Sequence, residues 1–272
     1  MAEIRIIGAR QTGKTTYLAT LAACPHKEYF PGLEITPIGD DSKRLVEMAW
    51  DIIAKYQSLP PTRRGSPPEY ELEIKFTSAS KPITLLAKDY AGELFEELVF
   101  EQKDWSKDVR EYVNDLLTAQ GWMIVLTDWQ QEQDTKIYQP AIKNLLSELN
   151  KYEAYNKDKA KKRIAVVMTK CERGEIWAGR FEPGEDLFKV RLPKTYEEMM
   201  KPKVYPQRVK FFACSSFGVL GDKNPRPNRY VPKDGSSIDH AYLRDNAAWQ
   251  PYGLFAPIYW LNTGNFLSDN RL

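Results

Sequence analysis

Ile4-Arg5-Ile6-Ile7-Gly8-Ala9-Arg10-Gln11-Thr12-Gly13-Lys14-Thr15-Thr16 reads as a short apolar strand, a tight loop and the first turn of a helix. Gly8, Gly13, Lys14 and Thr15 fit the pattern G-x-x-x-x-G-K-[ST]. The physics behind the pattern is specific. Glycines let the backbone curl until successive N–H groups point inward at an anion. A lysine at the second-last position neutralises phosphate oxygens, and the hydroxyl after it is a hard ligand for a divalent cation. The helix that starts near Lys14 adds its positive end to the same place. Strand before and helix after are the context that makes this a phosphate-binding loop.

Outward from the loop, Thr16 to Ala23 continues the helix until Pro25 stops it. Pro and Gly between Cys24 and Asp40 predict a loop. Leu45, Met48, Ala49, Ile52, Ile53 and Tyr56 recur at helical spacing behind Asp40-Asp41-Ser42. Residues 59–68 carry four prolines and a glycine and predict an irregular loop. Tyr70–Thr77 alternates apolar and charged residues, which predicts an edge strand with one wet face. The five-residue link to a second strand, Ile83–Lys88, predicts an antiparallel hairpin.

Further on, the pattern gives a helix over Trp105–Ala119, a buried strand over Trp122–Leu126 and a helix over Ile137–Tyr152. Lys157–Arg163 reads as a solvated basic run. Ile164–Met168 and Val209–Ala213 are the last two strands, and Tyr252–Leu261 predicts a C-terminal helix with Pro257 in its first turn. Residues 173–207 read as polar connection with a short helix at Tyr196–Met200, and 217–251 as loop. Strands alternating with helices give an α/β fold of three layers: a mostly parallel sheet, one antiparallel edge hairpin, and helices on both faces. A ligand then belongs beyond the carboxyl ends of the strands.

Composition narrows the class. In 272 residues, 39 Lys+Arg stand against 37 Asp+Glu, a balance that gives no support for a nucleic-acid partner. Three cysteines and two histidines supply neither a disulfide framework nor a zinc site. No apolar run reaches the ~20 residues of a membrane span, and the first strand lies where a signal peptide would. These features predict a cytoplasmic protein.

Four motifs at successive strand ends carry a resemblance. Besides the loop they are Asp89-Tyr90-Ala91-Gly92, Thr169-Lys170-Cys171-Glu172 and Cys214-Ser215-Ser216. The chain resembles Ras-like GTPases of the translation-factor-related P-loop class, and within them the bacterial double-GTPase type, which has loop insertions and a Pro- and Trp-containing C-terminal segment. The resemblance implies one GTPase domain over 1–272 with insertions near 41–68, 173–207 and 217–251 and a C-terminal helix. It implies GTP or GDP as ligand, with Gly8, Arg10, Gln11, Thr12, Gly13, Lys14, Thr15 and Thr16 around the phosphates and Gly92 reporting the γ-phosphate. Mg²⁺ falls to Thr15, Asp89 and a loop threonine, Thr62, with Thr36 as its competitor.

The resemblance further implies that Thr169, Lys170 and Glu172 read guanine with Ser215 and Ser216, although Glu172 stands where the family carries aspartate. Glu93 follows Gly92 where many relatives place a water-orienting glutamine. Arg10, where a small residue is common, is a candidate arginine supplied in cis, with a solvent-facing role as the alternative. The expected activity is slow GTP hydrolysis by a Mg²⁺-dependent switch that involves Glu93, Arg10 and Lys14. Its expected partners are a protein effector or regulator, or a homo- or hetero-oligomer. The alternatives are a non-hydrolysing nucleotide-binding scaffold and a P-loop ATPase. The aromatic C-terminus (Trp249, Tyr252, Phe255, Tyr259, Trp260) reads as core packing.

Overall fold

The computed structural model describes residues 2–23, 32–54, 67–76, 82–128, 132–157, 161–201, 206–221, 223–230 and 241–267. Its strands are β1 Ala2–Ile7, β2 Leu33–Ile38, β3 Glu69–Phe76, β4 Ile83–Asp89, β5 Gly121–Leu126, β6 Arg163–Met168 and β7 Val209–Ala213. They form one sheet in the order β2-β3-β4-β1-β5-β6-β7. β1 lies parallel between β4 and β5, and β6 and β7 continue that direction. Only β3 runs against the rest, paired with β4 on one side and β2 on the other.

Alternation along the central strands feeds two layers. Trp122, Ile124 and Leu126 of β5 face one core, and Met123 and Val125 face the other. The first core is covered by α4 Lys107–Thr118 and α5 Gln139–Tyr155. The second is covered by α1 Lys14–Ala23, α2 Gly39–Ala54 and, near the C-terminus, α6 Ala256–Thr263. The short α3 Gly92–Glu96 follows β4 directly. Ser106 caps α4 by accepting from the Val109 N–H at 3.3 Å. The three-layer α/β architecture read from the sequence is the observed one.

Four local expectations are corrected. The stretch read as loop before Asp40 contains β2, so β3 is the second strand and not the edge. Pro37 is tolerated there because β2 is an edge strand, where a missing N–H breaks no ladder. Within the region 173–207, residues 174–199 are a chain of short helical turns: Gly174–Trp177, Ala178–Phe181, Pro183–Phe188, Lys189–Arg191 and Pro193–Met199. Each is too brief to show a period, and two open on proline. Within 217–251, Arg229–Tyr230 and Tyr242–Leu243 pair as a ribbon over Phe217 and Trp249. The basic run is partly buried: Lys162 donates to the Ala119 carbonyl and Arg163 to the Leu261 carbonyl at 3.0 Å. The C-terminal aromatics Trp249, Tyr252, Phe255 and Trp260 are buried, and Tyr259 packs half-buried beside them. No helix among the described residues is long and apolar enough to cross a membrane.

Candidate functional site

The loop 8–13 leaves the carboxyl end of β1 and enters α1 at Lys14. Gln11 holds a left-handed backbone at φ 61° without being glycine, the kind of strain that persists where surrounding structure fixes it. Lys14 is buried, and its Nζ donates to the carbonyls of Gly8 and Ala9 at 2.9 and 3.0 Å. Burial lowers its pKa, against the pull of Asp89, Glu96 and Glu93. Thr12 Oγ1 closes the loop on the Ala9 carbonyl at 3.0 Å. Thr16 follows half-buried in the first turn of α1.

At the end of β4 the Thr15 hydroxyl donates to Asp89 Oδ2 at 2.6 Å. A hydroxyl and a carboxylate so close are two hard oxygens at one point. No cluster of three or more His, Cys, Asp or Glu exists among the described residues. That donor set suits Mg²⁺, which is usually held by one or two protein oxygens together with substrate phosphates and waters. Thr36 lies away from this pair. It pairs with Glu73, which pairs with Thr84, five residues before Asp89. That places Thr36 roughly 16 Å toward the amino end of the sheet. Thr62 lies outside the described residues. Asp89 N–H donates to the Pro68 carbonyl at 3.2 Å, so the chain entering β3 passes beside the Asp89 end of β4.

Gly92 opens α3 hard against the loop: a Cβ there would lie 2.3 Å from the Arg10 nitrogen. Four residues on, Glu96 accepts from the Arg10 backbone N–H at 2.9 Å and approaches the guanidinium at 2.7 Å. Glu93 lies farther from Arg10, at 3.9 Å. Glu96 raises the Arg10 pKa by hydrogen bond and charge. From the sequence, Glu93 is the residue expected to be balanced by Arg10. The structure gives that place mainly to Glu96, whose position one turn beyond Glu93 was the available signal.

Thr169-Lys170-Cys171-Glu172 follows β6. Thr169 Oγ1 donates to the Thr12 carbonyl at 2.6 Å, and Lys170 Nζ to the Gln11 carbonyl at 2.7 Å. Lys170 is itself left-handed at φ 59°. Glu172 is fully buried. Its Oε2 accepts from Ser215 Oγ at 2.7 Å, and its Oε1 has no hydrogen-bond partner among the described residues. Burial raises its pKa, opposed by the Ser215 hydrogen bond and the charges of Arg229 and Lys170. Ser215 uses its backbone N–H and carbonyl on Tyr252, while the Ser216 carbonyl accepts from Trp249 Nε1 at 2.9 Å. Cys171 and Cys214 are buried free thiols. The charge of Arg229 acts on both Glu172 and Arg173, and Arg173 pairs with Asp128; neither arginine was singled out from the sequence.

The Gly8–Lys14 loop, the Thr15–Asp89 hydroxyl–carboxylate pair and the Thr169–Glu172 loop stand together at the carboxyl ends of one mostly parallel sheet. Residues 5–168 match the family Double-GTPase 1, and the chain belongs to that family. It is therefore a GTP-binding protein of the double-GTPase type. The match ends at Met168, one residue before Thr169. No curated protein matches the chain. Among solved structures, a match is the crystal structure of the S. cerevisiae Ski7 GTPase-like domain bound to GTP. The identity is 16%, with a TM-score of 0.44, over 86% of this chain and 46% of that one. The chain thus spans about half of the structure it matches.

Proposed function

We propose that the chain is a Mg²⁺-dependent guanine-nucleotide switch with slow hydrolysis, acting through a protein effector or regulator in the cytoplasm, and that 1–272 work as one GTPase domain. The observation that carries the guanine reading is Glu172. A buried carboxylate with one oxygen held by Ser215 and the other without a hydrogen-bond partner among the described residues is costly unless donors arrive. The N1–H and N2–H₂ of guanine are two such donors, and adenine offers no equivalent pair. Lys170 would lay its stem along the base, and the Ser216 backbone would meet the guanine carbonyl. Lys14 and the loop N–H groups would hold the phosphates. Thr15 and Asp89 would hold Mg²⁺, with Thr62 as the third donor. When bound, the metal supplies charge neutralisation of the phosphates.

For hydrolysis, Glu93 would hold the attacking water and Arg10 would offset developing charge, while Gly92 N–H senses the terminal phosphate. A second reading, a nucleotide-binding module that barely turns over, draws on the Arg10–Glu96 ion pair, which keeps the guanidinium occupied.

Calorimetry of GDP, GTP, ADP and ATP on stripped protein with Mg²⁺ tests the base assignment. Glu172→Ala is expected to weaken guanine nucleotides by about 2–3 kcal/mol, roughly 30- to 200-fold, and to leave adenine nucleotides unchanged. Equal losses for both would remove the guanine claim. Turnover separates the two hydrolysis readings: Glu93→Gln or Arg10→Gly must lower the multiple-turnover rate that exceeds a Lys14→Ala blank, and if neither does, the catalytic assignment fails.

A further inference from the structure

A cleft of about 340 Å³ lies along β7 at the end of the sheet. Four consecutive residues, Lys210 to Ala213, line it. Consecutive residues of a strand point their side chains to opposite faces, so a cleft touching all four follows the strand's edge. No described strand pairs with that edge.

Backbone directions identify the open groups. Cys214 N–H donates to the Met168 carbonyl, and its own carbonyl accepts from Cys171 N–H, so residue 214 faces inward to β6. By alternation Val209, Phe211 and Ala213 turn their N–H and C=O groups outward. One residue beyond, Ser215 already pairs antiparallel with Tyr252, its N–H and carbonyl both bonded at 2.9 Å. That is the stub of an eighth strand. It stops at Gly253, which has φ +66° and sits so close that a Cβ would lie 2.1 Å from the Ala213 carbonyl. The chain then turns into α6, and the cleft begins where it leaves the edge.

The walls are aromatic and basic. Phe181 and Phe266 are 55% and 64% exposed at the rim. The Arg180 guanidinium lies 4.0 Å from the Phe181 ring centroid, and Lys210 Nζ lies 4.5 Å from that of Phe266. Among the described residues, Glu182 is the only carboxylate in the lining and Lys210 has no carboxylate partner.

We propose that this cleft binds an extended, acidic and apolar segment of a partner protein, which continues the Tyr252 stub as an added strand on β7. Strand addition to an open edge takes affinity from main-chain hydrogen bonds and specificity from the flanking pockets. Here the pockets are aromatic on both sides, and the two cations select an acidic side chain. An edge lysine can also act purely as a guard against pairing, and these two roles give opposite results.

The test titrates the ¹⁵N-labelled full chain with acetyl-Val-Glu-Val-Glu-Val-amide, its Lys-for-Glu counterpart, and a form N-methylated at the central residue. The acidic peptide is expected to shift the amides of Val209, Phe211 and Ala213 saturably, with a Kd below about 1 mM. The lysine and N-methylated forms should bind at least about tenfold more weakly. Lys210→Glu should reverse the charge preference, and Ala256→Phe should close the cleft. Both variants should keep the parent's nucleotide affinity and melting temperature. Lack of β7 shifts at about 2 mM peptide overturns the proposal and leaves Lys210 as a guard. Equal binding of the N-methylated form overturns strand addition. Sedimentation that reveals self-association through β7 would assign the edge to a second copy and overturn the partner assignment.

Discussion

Glu172 is the residue whose chemistry is least explained by folding alone. Its raised pKa means that the folded chain binds the proton more tightly than the unfolded one. The stabilising contribution of that proton is complete below the ordinary carboxylate range and is lost as pH rises through the folded value. Nucleotide-free protein should therefore lose stability with rising pH, by no more than about 1.4 kcal/mol per pH unit for one group. Glu172→Gln should remove that slope and be more stable than the parent above the transition, as read by urea unfolding across pH. A variant with the parent's slope would sink the assignment. The motif Thr169-Lys170-Cys171-Glu172 was legible because its spacing after an apolar strand is local. The depth of Glu172 and its bond to Ser215 were not, because they depend on two strand ends 43 residues apart meeting in space. Glu96 was missed for a related reason: two glutamates on one short helix look alike until the helix is docked.

At the scale of elements, the contact that matters is α3 on the phosphate loop. Gly92 leaves no room for a side chain, and Glu96 ties the helix to Arg10 through backbone and guanidinium. Gly92→Ala must push α3 off the loop, and should lower the ratio of GTP to GDP affinity by about tenfold while GDP binding itself changes little. An unchanged ratio, measured by competition, would show that α3 does not sense the third phosphate. Glu96→Gln frees an exposed pair worth about 1 kcal/mol or less, so hydrolysis should rise by no more than about fivefold if Glu96 restrains Arg10. A fall in rate would instead make Glu96 a support for Arg10. Elements with long periods or continuous apolar runs were legible from sequence to within a few residues. β2 was not, since Pro37 in Leu33–Ile38 speaks for a loop unless the strand is known to be at an edge.

At the scale of the molecule, the site draws on both core layers. The loop that follows β1 receives hydrogen bonds from Thr169 and Lys170 after β6, and Ser215 after β7 holds Glu172. α1 is anchored to the C-terminal segment by the Tyr17 hydroxyl on the Leu254 carbonyl. On the proposed function, a ligand that bridges the Gly8–Lys14 loop, the Thr15–Asp89 pair and the Thr169–Glu172 loop ties together strands from the middle of the sheet to its β7 end. Binding to the folded form alone stabilises by about 2.7 kcal/mol at a hundredfold excess over Kd. For a chain of this size that corresponds to roughly 5–10 °C in Tm. GTP or GDP with Mg²⁺ should deliver a shift of that order. Chelating the metal should reduce it, because Thr15 and Asp89 would then face the phosphates without the cation between them. Lys14→Ala should abolish it, and ADP should give a smaller shift than GDP at equal concentration. A scan in which ADP and GDP stabilise equally, or in which Lys14→Ala keeps the full shift, would mean that the nucleotide does not engage loop and base reader together, and the three-point site would fail as a unit.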